Sequence, residues 1–181
     1  MVAKEYAAFV QEVGGIAKGK EPTFISGSDF VSSSVDDRKK PLEDLRRNGG
    51  VLVIEDAHHL APSSLMGGGT ALDLILSEAK ELEGQAVIVL CGYGKQMETL
   101  TGHSPAFRSL FPVSVAFPDY RDDELHALLV HELKLQFGGR MNVAGGLFGL
   151  FMKIITARIG RGRERFGFGN AREVQNALST I

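Results

Sequence analysis

Two adjacent carboxylates behind an apolar run are the residues of this chain best suited to chemistry. Val51 to Ile54 is continuously apolar, and Glu55 and Asp56 follow it directly. One acid can hold Mg²⁺ through its water shell, while the second orients or deprotonates the water that attacks a phosphate. The pattern is Walker-B-like, and the alternative interpretation is that two acids simply end a strand.

The elements around this pair predict an α/β domain. Short apolar runs bounded by turn residues predict four strands, at Thr23 to Ser26, Val51 to Ile54, Ala86 to Leu90 and Val113 to Phe117. Helical stripes alternate with these strands, which favours a parallel sheet. In such a sheet the acids lie at the carboxyl end of a strand, where open α/β sheets bind ligands.

After Pro118 the pattern is helical only. Three amphipathic stripes predict helices around Leu125 to Leu133, Val143 to Ile155 and Val174 to Ile181, and Asn170 is expected to cap the last of them. The sequence therefore predicts a sheet domain followed by a small helical bundle.

Composition excludes several classes of function. The 181 residues carry 20 basic and 22 acidic side chains, and a net charge of -2 argues against nucleic acid or an anionic membrane as partner. One cysteine, Cys91, excludes an intrachain disulfide framework and favours an intracellular, cytoplasmic protein. No uncharged apolar stretch is long enough to span a bilayer. A basic run holds four arginines that could bind phosphate or form a solvated loop: Arg158, Arg161, Arg163 and Arg165.

Five segments resemble, in the same order, motifs of the CbbX and stage V sporulation protein K family of AAA+ ATPases. They are Gly49 to Leu60, Cys91 to Tyr93, Ser104 to Ser109, Phe117 to Leu125 and Phe168 to Arg172. The resemblance covers nearly the whole chain and implies a P-loop NTPase (AAA+) parallel sheet with a C-terminal helical lid. It places the α/β core at residues 1–118 and the lid at 119–181.

The resemblance assigns the acid pair to ATP hydrolysis. Glu55 matches the family's Mg²⁺-coordinating acid and Asp56 its catalytic acid, but the family has Asp first and Glu second. Each side chain thus differs by one methylene, which would displace metal and water by about an ångström and can cost on the order of a hundredfold in rate. ATP and Mg²⁺ are the implied cofactors, with Glu55 as the metal ligand.

Four further positions match residues that contact or sense the bound nucleotide in the family. Gly92 and Tyr93 match the polar sensor after the fourth family strand, and Arg172 matches the sensor-two arginine of the lid. Arg108 matches the first arginine of the arginine-finger segment, whereas Leu110 replaces the second.

The phosphate-binding loop of the family does not occur in this sequence. No GxxxxGK[ST] is present, so the backbone nest and lysine that hold the β- and γ-phosphates are missing. In the family, the strand before this loop lies inside the sheet, and its neighbours would otherwise have open edges. We expect that strand either to precede this stretch in the natural protein or to come from another segment.

Two hypotheses of different class follow. The first is an ATPase domain that assembles with other AAA+ subunits or tandem domains and remodels a protein substrate. The second is an inactive AAA+ copy that keeps the fold as an interaction module, favoured by the exchanged acids, by Leu110 and by Ser34, which replaces a pore-loop aromatic residue. An unrelated α/β ligand-binding domain would leave the ordered matches unexplained. His58 and His59 are adjacent and point different ways, so a metal pair is not expected.

Overall fold

The computed structural model describes residues 2–12, 21–62, 66–103, 105–163, 165 and 167–179. The chain forms two compact units, Met1–Val115 and Ala116–Ile181. Ser104, at the start of one family-like segment, and Ile181, at the end of the last predicted helix, lie outside the described residues.

Strands and helices alternate through the first unit. Its helices are α1 (Val2–Glu12), α2 (Gly27–Ser32), α3 (Val35–Asn48), α4 (Gly68–Glu81), α5 (Gly94–Gly102) and α6 (Pro105–Leu110). Its strands are β1 (Thr23–Ser26), β2 (Gly50–Glu55) and β3 (Ala86–Leu90), and a 3₁₀ turn spans Ala57–Leu60. Three of the four predicted strands are therefore confirmed.

The three strands form a parallel sheet in the order β1-β2-β3. Thr23 is level with Leu52 on one side of β2, and Ile54 is level with Leu90 on the other. Parallel strands need helical crossovers, which α2 to α4 provide, so the α/β class predicted from the alternation is confirmed.

The central strand β2 is apolar throughout because both of its faces are covered. Leu52 and Ile54 belong to a core with α2, α3 and α4, whereas Val51 and Val53 pack with Ala7 of α1. Successive side chains of a strand point to opposite faces, so an uninterrupted apolar run indicates burial on both. The structure confirms this interpretation of Val51 to Ile54.

The prediction of a fourth strand at Val113 to Phe117 is wrong. Residues 111–120 have no regular secondary structure, and Val113, Val115 and Phe117 are 73%, 61% and 68% exposed. A strand is stable only when its backbone groups join a ladder with a neighbour. Among the described residues no strand pairs with this segment.

The strand β3 has one open edge. Within the described part of the chain it pairs with β2 alone, and its five residues are all apolar and half-buried. The backbone N–H and C=O groups along the other side of β3 therefore have no ladder partner there.

Three helices make up the second unit: α7 (Asp122–Phe137), α8 (Leu150–Gly160) and α9 (Ala171–Leu178). They pack around Leu125, Leu129, Met152 and Val174, all at most 1% exposed. The middle helix was predicted from Val143, but it begins at Leu150.

Two glycines explain the late start of α8. Gly145 and Gly146 have φ values of 80° and 78°, a left-handed conformation that a right-handed helix cannot include. None of the helices in the described ranges combines the length and apolar composition that crossing a membrane requires.

Candidate functional site

The acid pair lies at the carboxyl end of the central strand. Glu55 is the last residue of β2, and Asp56 follows it with φ 50° and ψ 38°. Both side chains are exposed, and neither forms an ion pair or hydrogen bond with another described residue. The two carboxylates lie at the carboxyl end of a strand, as predicted from the sequence, and are free to bind a ligand.

Asp56 occupies a left-handed backbone conformation that favours its residue type. Short polar side chains such as Asp and Asn visit this region more readily than most residues. The Asp at this position, where the family has Glu, is therefore the easier residue for the local backbone. One part of the exchange between the two acids thus has a conformational reason.

Backbone hydrogen bonds fix the segment after β3 next to the acid pair. Cys91 N donates to Ile54 O over 2.9 Å, and Ala57 N donates to Cys91 O over 2.8 Å. These bonds extend the β2–β3 ladder beyond the last residue of β3. Gly92 and Tyr93 consequently leave the sheet at the same edge as Glu55 and Asp56.

His58 follows the acid pair in the chain and contacts Tyr93, and sequence reasoning missed it as a site residue. Its ring centroid is 5.7 Å from that of Tyr93 and 4.2 Å from that of His59. Burial, followed by the charge of His59, lowers the pKa of His58, while Asp56 acts in the opposite direction. Its position two residues after the acids was the available signal, but only the fold brings it to Tyr93.

The site offers one or two carboxylates to a metal rather than a closed cage. No three His, Cys, Asp or Glu side chains converge on a common point in the described part of the chain. Mg²⁺ bound to a nucleotide keeps several waters and takes only one or two protein carboxylates. Exposed Glu55 and Asp56 fit that requirement.

Gly27 passes close to the backbone of the two acids. It is buried at the start of α2, and a Cβ built on it would lie 2.6 Å from Asp56 O and 3.2 Å from Glu55 O. Backbone atoms cannot turn away as a flexible side chain can. Only glycine therefore lets the chain after β1 pass beside the end of β2.

We expect Gly27→Ala to destabilise the protein by about 1–3 kcal/mol, because the added methyl group must push the backbone of Glu55 and Asp56 aside. Chemical denaturation of the two proteins measures this difference. Gly94→Ala is the matched control, since a Cβ on Gly94 meets nothing within 4 Å. Equal free energies of unfolding for the Gly27→Ala and Gly94→Ala proteins would show that the close approach at Gly27 does not require glycine.

Arg108 is not in contact with the acid pair. It lies on α6, its side chain is exposed, and no hydrogen bond or ion pair joins it to Glu55 or Asp56. The helix is anchored by Phe107, which is 3% exposed and contacts Phe111 at a centroid distance of 4.9 Å. The structure thus presents Arg108 on the surface of the first unit.

Arg172 is exposed in the first turn of α9, two residues after Asn170. Asn170 occupies the N-cap position, but its side chain makes no capping bond, contrary to expectation. Its Nδ2 donates instead to Asp119 Oδ1, and its Oδ1 accepts from Tyr120 N, both over 2.8 Å. The amide is therefore used to hold the segment before α7.

Arg163 completes this clamp, which we define as Asn170, Arg163 and the segment 119–122. Arg163 Nε donates to Tyr120 O over 2.6 Å, and its guanidinium pairs with Asp122. Asn170 has φ 47° and ψ -101°, a rarely populated conformation that persists only where surrounding contacts enforce it. The clamp fixes the position of Asn170, two residues before Arg172 at the start of α9.

Exchanging the side chains of residues 119 and 170 should restore the stability that the single change Asn170→Asp removes. We expect Asn170→Asp to destabilise by about 1–3 kcal/mol, because two carboxylates then face each other at residues 119 and 170. Adding Asp119→Asn restores an amide–carboxylate pair, and the double variant should recover most of the loss. Hydrogen exchange of the Tyr120 amide measures the contact directly.

Asn142→Ala serves as control for the clamp variants, since Asn142 is exposed and its side chain bonds to no described residue. A double variant that exchanges the Tyr120 amide proton as fast as Asn170→Asp does would contradict the clamp.

A parallel sheet with acids at the end of its central strand, followed in the chain by a helical unit, is consistent with the α/β fold of P-loop AAA+ proteins. Comparison with known proteins agrees. The chain is 28% identical over 184 residues to protein CbbX of Cereibacter sphaeroides, an alignment covering 98% of this chain and 56% of that protein. No family model matches the sequence.

Two further relatives are similar to it. Protein CfxQ of Xanthobacter flavus is 25% identical over 187 residues, covering 99% of this chain and 56% of the relative. Stage V sporulation protein K of Bacillus subtilis is 28% identical over 101 residues, covering 54% and 31%. The resemblance to CbbX-type AAA+ proteins is thus confirmed, and the chain spans about half the length of the first two relatives.

Proposed function

We propose that this chain forms the ATPase domain of a ring-forming, protein-remodelling AAA+ protein, with residues 1–118 as α/β core and 119–181 as lid. The observation that carries the proposal is the exposed acid pair at the carboxyl end of β2, next to the Gly92–Tyr93 segment. Similarity to CbbX-type proteins over nearly the whole chain supports the same function.

Each site residue then has one task. Glu55 would hold Mg²⁺, and Asp56 would orient the attacking water and accept its proton. Bound Mg²⁺ supplies charge neutralisation of the phosphates. Tyr93, fixed beside the acids through the Cys91 backbone bonds, offers a hydroxyl as polar sensor. Arg172 acts as the sensor-two arginine.

Arg108 acts in trans in this proposal. Its exposure on α6 and its lack of contact with Glu55 and Asp56 support a role at the site of a neighbouring subunit. The partners are accordingly ATP, further AAA+ subunits or tandem domains, and a protein substrate. We propose no nucleic-acid or membrane partner and a cytoplasmic location.

In this proposal the phosphate-binding loop is supplied by a segment other than these 181 residues, which contain no GxxxxGK[ST]. The open edge of β3 supports this view, because a strand that carries such a loop at its carboxyl end can pair there in parallel. Its loop would then leave the sheet at the edge that carries Glu55 and Asp56.

A second candidate function is an inactive AAA+ copy that acts as an interaction module. Ser34 favours it, because this residue caps α3 by accepting from Asp37 N over 3.2 Å instead of gripping a threaded peptide. The exchange of Glu55 and Asp56 and the presence of Leu110 favour it as well.

Phosphate release by a longer polypeptide, which carries a P-loop before this chain, separates the two candidates. The ATPase proposal expects hydrolysis that Asp56→Asn abolishes while ATP binding persists. The module proposal expects ATP-supported assembly in sedimentation with no phosphate release above background. Asp73→Asn, a change of the same kind on the exposed face of α4, is the control.

A further inference from the structure

His58 lies on a turn whose backbone is held at both ends. The 3₁₀ turn Ala57–Leu60 follows Asp56 directly, and its first and last residues are fully buried. Ala61 N donates to His58 O over 3.1 Å, and the N–H of the first turn residue donates to Cys91 O. The backbone of His58 is therefore fixed relative to the end of β2.

The His58 ring packs against the segment that carries Tyr93. The buried Nδ1 atom of His58 lies beside Gly92, where an added Cβ would be 3.4 Å from it. The same Cβ would come within 2.7 Å of Met97 Sδ, so Gly92 is close both to the 3₁₀ turn and to α5. The segment can approach the His58 ring this closely because residue 92 has no side chain.

Tyr93 contacts the same ring. The two ring centroids are 5.7 Å apart and the planes are inclined by 58°, a separation within the range that aromatic pairs favour. Tyr93 is 42% exposed, and its carbonyl accepts from Met97 N over 2.8 Å, a bond that orients the backbone of residue 93 rather than its ring. The contact with His58 therefore restrains a side chain that is open to solvent.

We propose that His58 is a positioning residue, whose ring holds the Tyr93 side chain at the sheet edge that carries Glu55 and Asp56. This inference rests on the proposed ATPase function, in which the Tyr93 hydroxyl is the polar sensor. Displacement of a group in such a site by about an ångström lowers the rate of reaction. The contribution of an aromatic pair corresponds to a change in rate of roughly threefold to tenfold.

The tyrosine signals of the 181-residue chain test the contact directly, because the chain has three tyrosines and no tryptophan. With fluorotyrosine labelling, Tyr93→Phe assigns the fluorine NMR signal of Tyr93. We expect His58→Leu to move that signal to the position of an unstructured tyrosine, since leucine fills the space without a ring. His58→Phe should keep the signal displaced from that position. His131→Leu, the same change at an exposed residue of α7, is the control and should leave the signal unmoved.

A longer polypeptide that carries a P-loop before this chain tests the consequence for the reaction. There we expect His58→Leu to lower the single-turnover rate of phosphate release about threefold to tenfold and to leave the affinity for ATP unchanged. His58→Phe should restore most of the rate. A role of His58 in folding alone would not separate rate from affinity in this way.

An unchanged Tyr93 signal in His58→Leu would overturn the proposal, and so would equal signals in the leucine and phenylalanine variants. Weaker ATP binding by His58→Leu with a full rate at saturation would also overturn it, because that result assigns His58 to binding. If the extended wild type does not hydrolyse ATP, only the ATPase proposal fails, since the signals of the short chain still decide whether His58 positions Tyr93. Circular dichroism of each variant distinguishes a lost contact from lost folding.

Discussion

Calorimetric titration of this 181-residue chain with ATP and Mg²⁺ is expected to show no binding tighter than about 1 mM. In P-loop proteins most contacts to the triphosphate come from backbone N–H groups and a lysine of the glycine-rich loop, and this sequence contains no such loop. Glu55 and Asp56 repel the phosphates unless Mg²⁺ lies between them, and Mg²⁺ itself takes its remaining ligands from the phosphates.

A polypeptide extended upstream by a P-loop strand should bind ATP at least about a hundredfold more tightly. Two charge-assisted hydrogen bonds, each contributing about 1.5–3 kcal/mol, already account for that factor. The same extension with its P-loop lysine replaced by alanine controls for the added length. The comparison also reports whether the added strand stabilises the sheet, through the urea midpoint of each protein.

Micromolar ATP binding by the short chain would contradict this prediction and would direct attention to another anchor for the phosphates. Equal affinity of the extended protein and its lysine variant would show that the extension acts through folding alone.

The second large effect concerns the order of the acids. In the extended polypeptide we expect E55D/D56E, which restores the family order, to raise the rate of phosphate release by about a hundredfold. The reason is geometric: one methylene at each acid displaces the metal and the attacking water by about an ångström, and a shift of that size can cost this factor. Single-turnover phosphate release measures the chemical step.

The backbone conformation of residue 56 should make E55D/D56E less stable than the original protein. Asp56 has φ 50°, where Glu is less favourable than Asp, so the exchanged protein should melt at a slightly lower temperature. E55D alone is the matched control because it shortens one side chain and leaves the strained position intact. A rate that stays unchanged in E55D/D56E, with ATP binding preserved, would show that the exchange does not limit hydrolysis.

The parts of the site that follow from local pattern could be predicted from the sequence. The run Val51 to Ile54 identified a strand buried on both faces, and its end located Glu55 and Asp56 at the edge of the sheet. Both inferences need only residue types within a short window. The similarity to CbbX-type proteins over nearly the whole chain agrees with the resemblance that those motifs indicated.

Features that depend on distant partners could not be predicted in this way. Val113 to Phe117 has the composition of a strand, but a strand also requires a neighbour, which composition does not reveal. Asn170 has the residue type of a helix cap, yet Asp119 and Tyr120 engage its amide from fifty residues away. His58 could be recognised as a site residue only from the fold, because Tyr93 follows β3 in the chain and contacts the His58 ring in the structure.

The edge of β3 that has no partner among the described residues also bears on how the chain behaves at high concentration. Natural sheets protect an edge with lysine, proline or a bulge, but Ala86 to Leu90 contains no charged residue and no proline. Such a strand is a template for the same strand of another molecule, and low local charge with high β-propensity favours that pairing. We therefore expect these five residues to promote association between copies of the chain in concentrated solution until another polypeptide covers them.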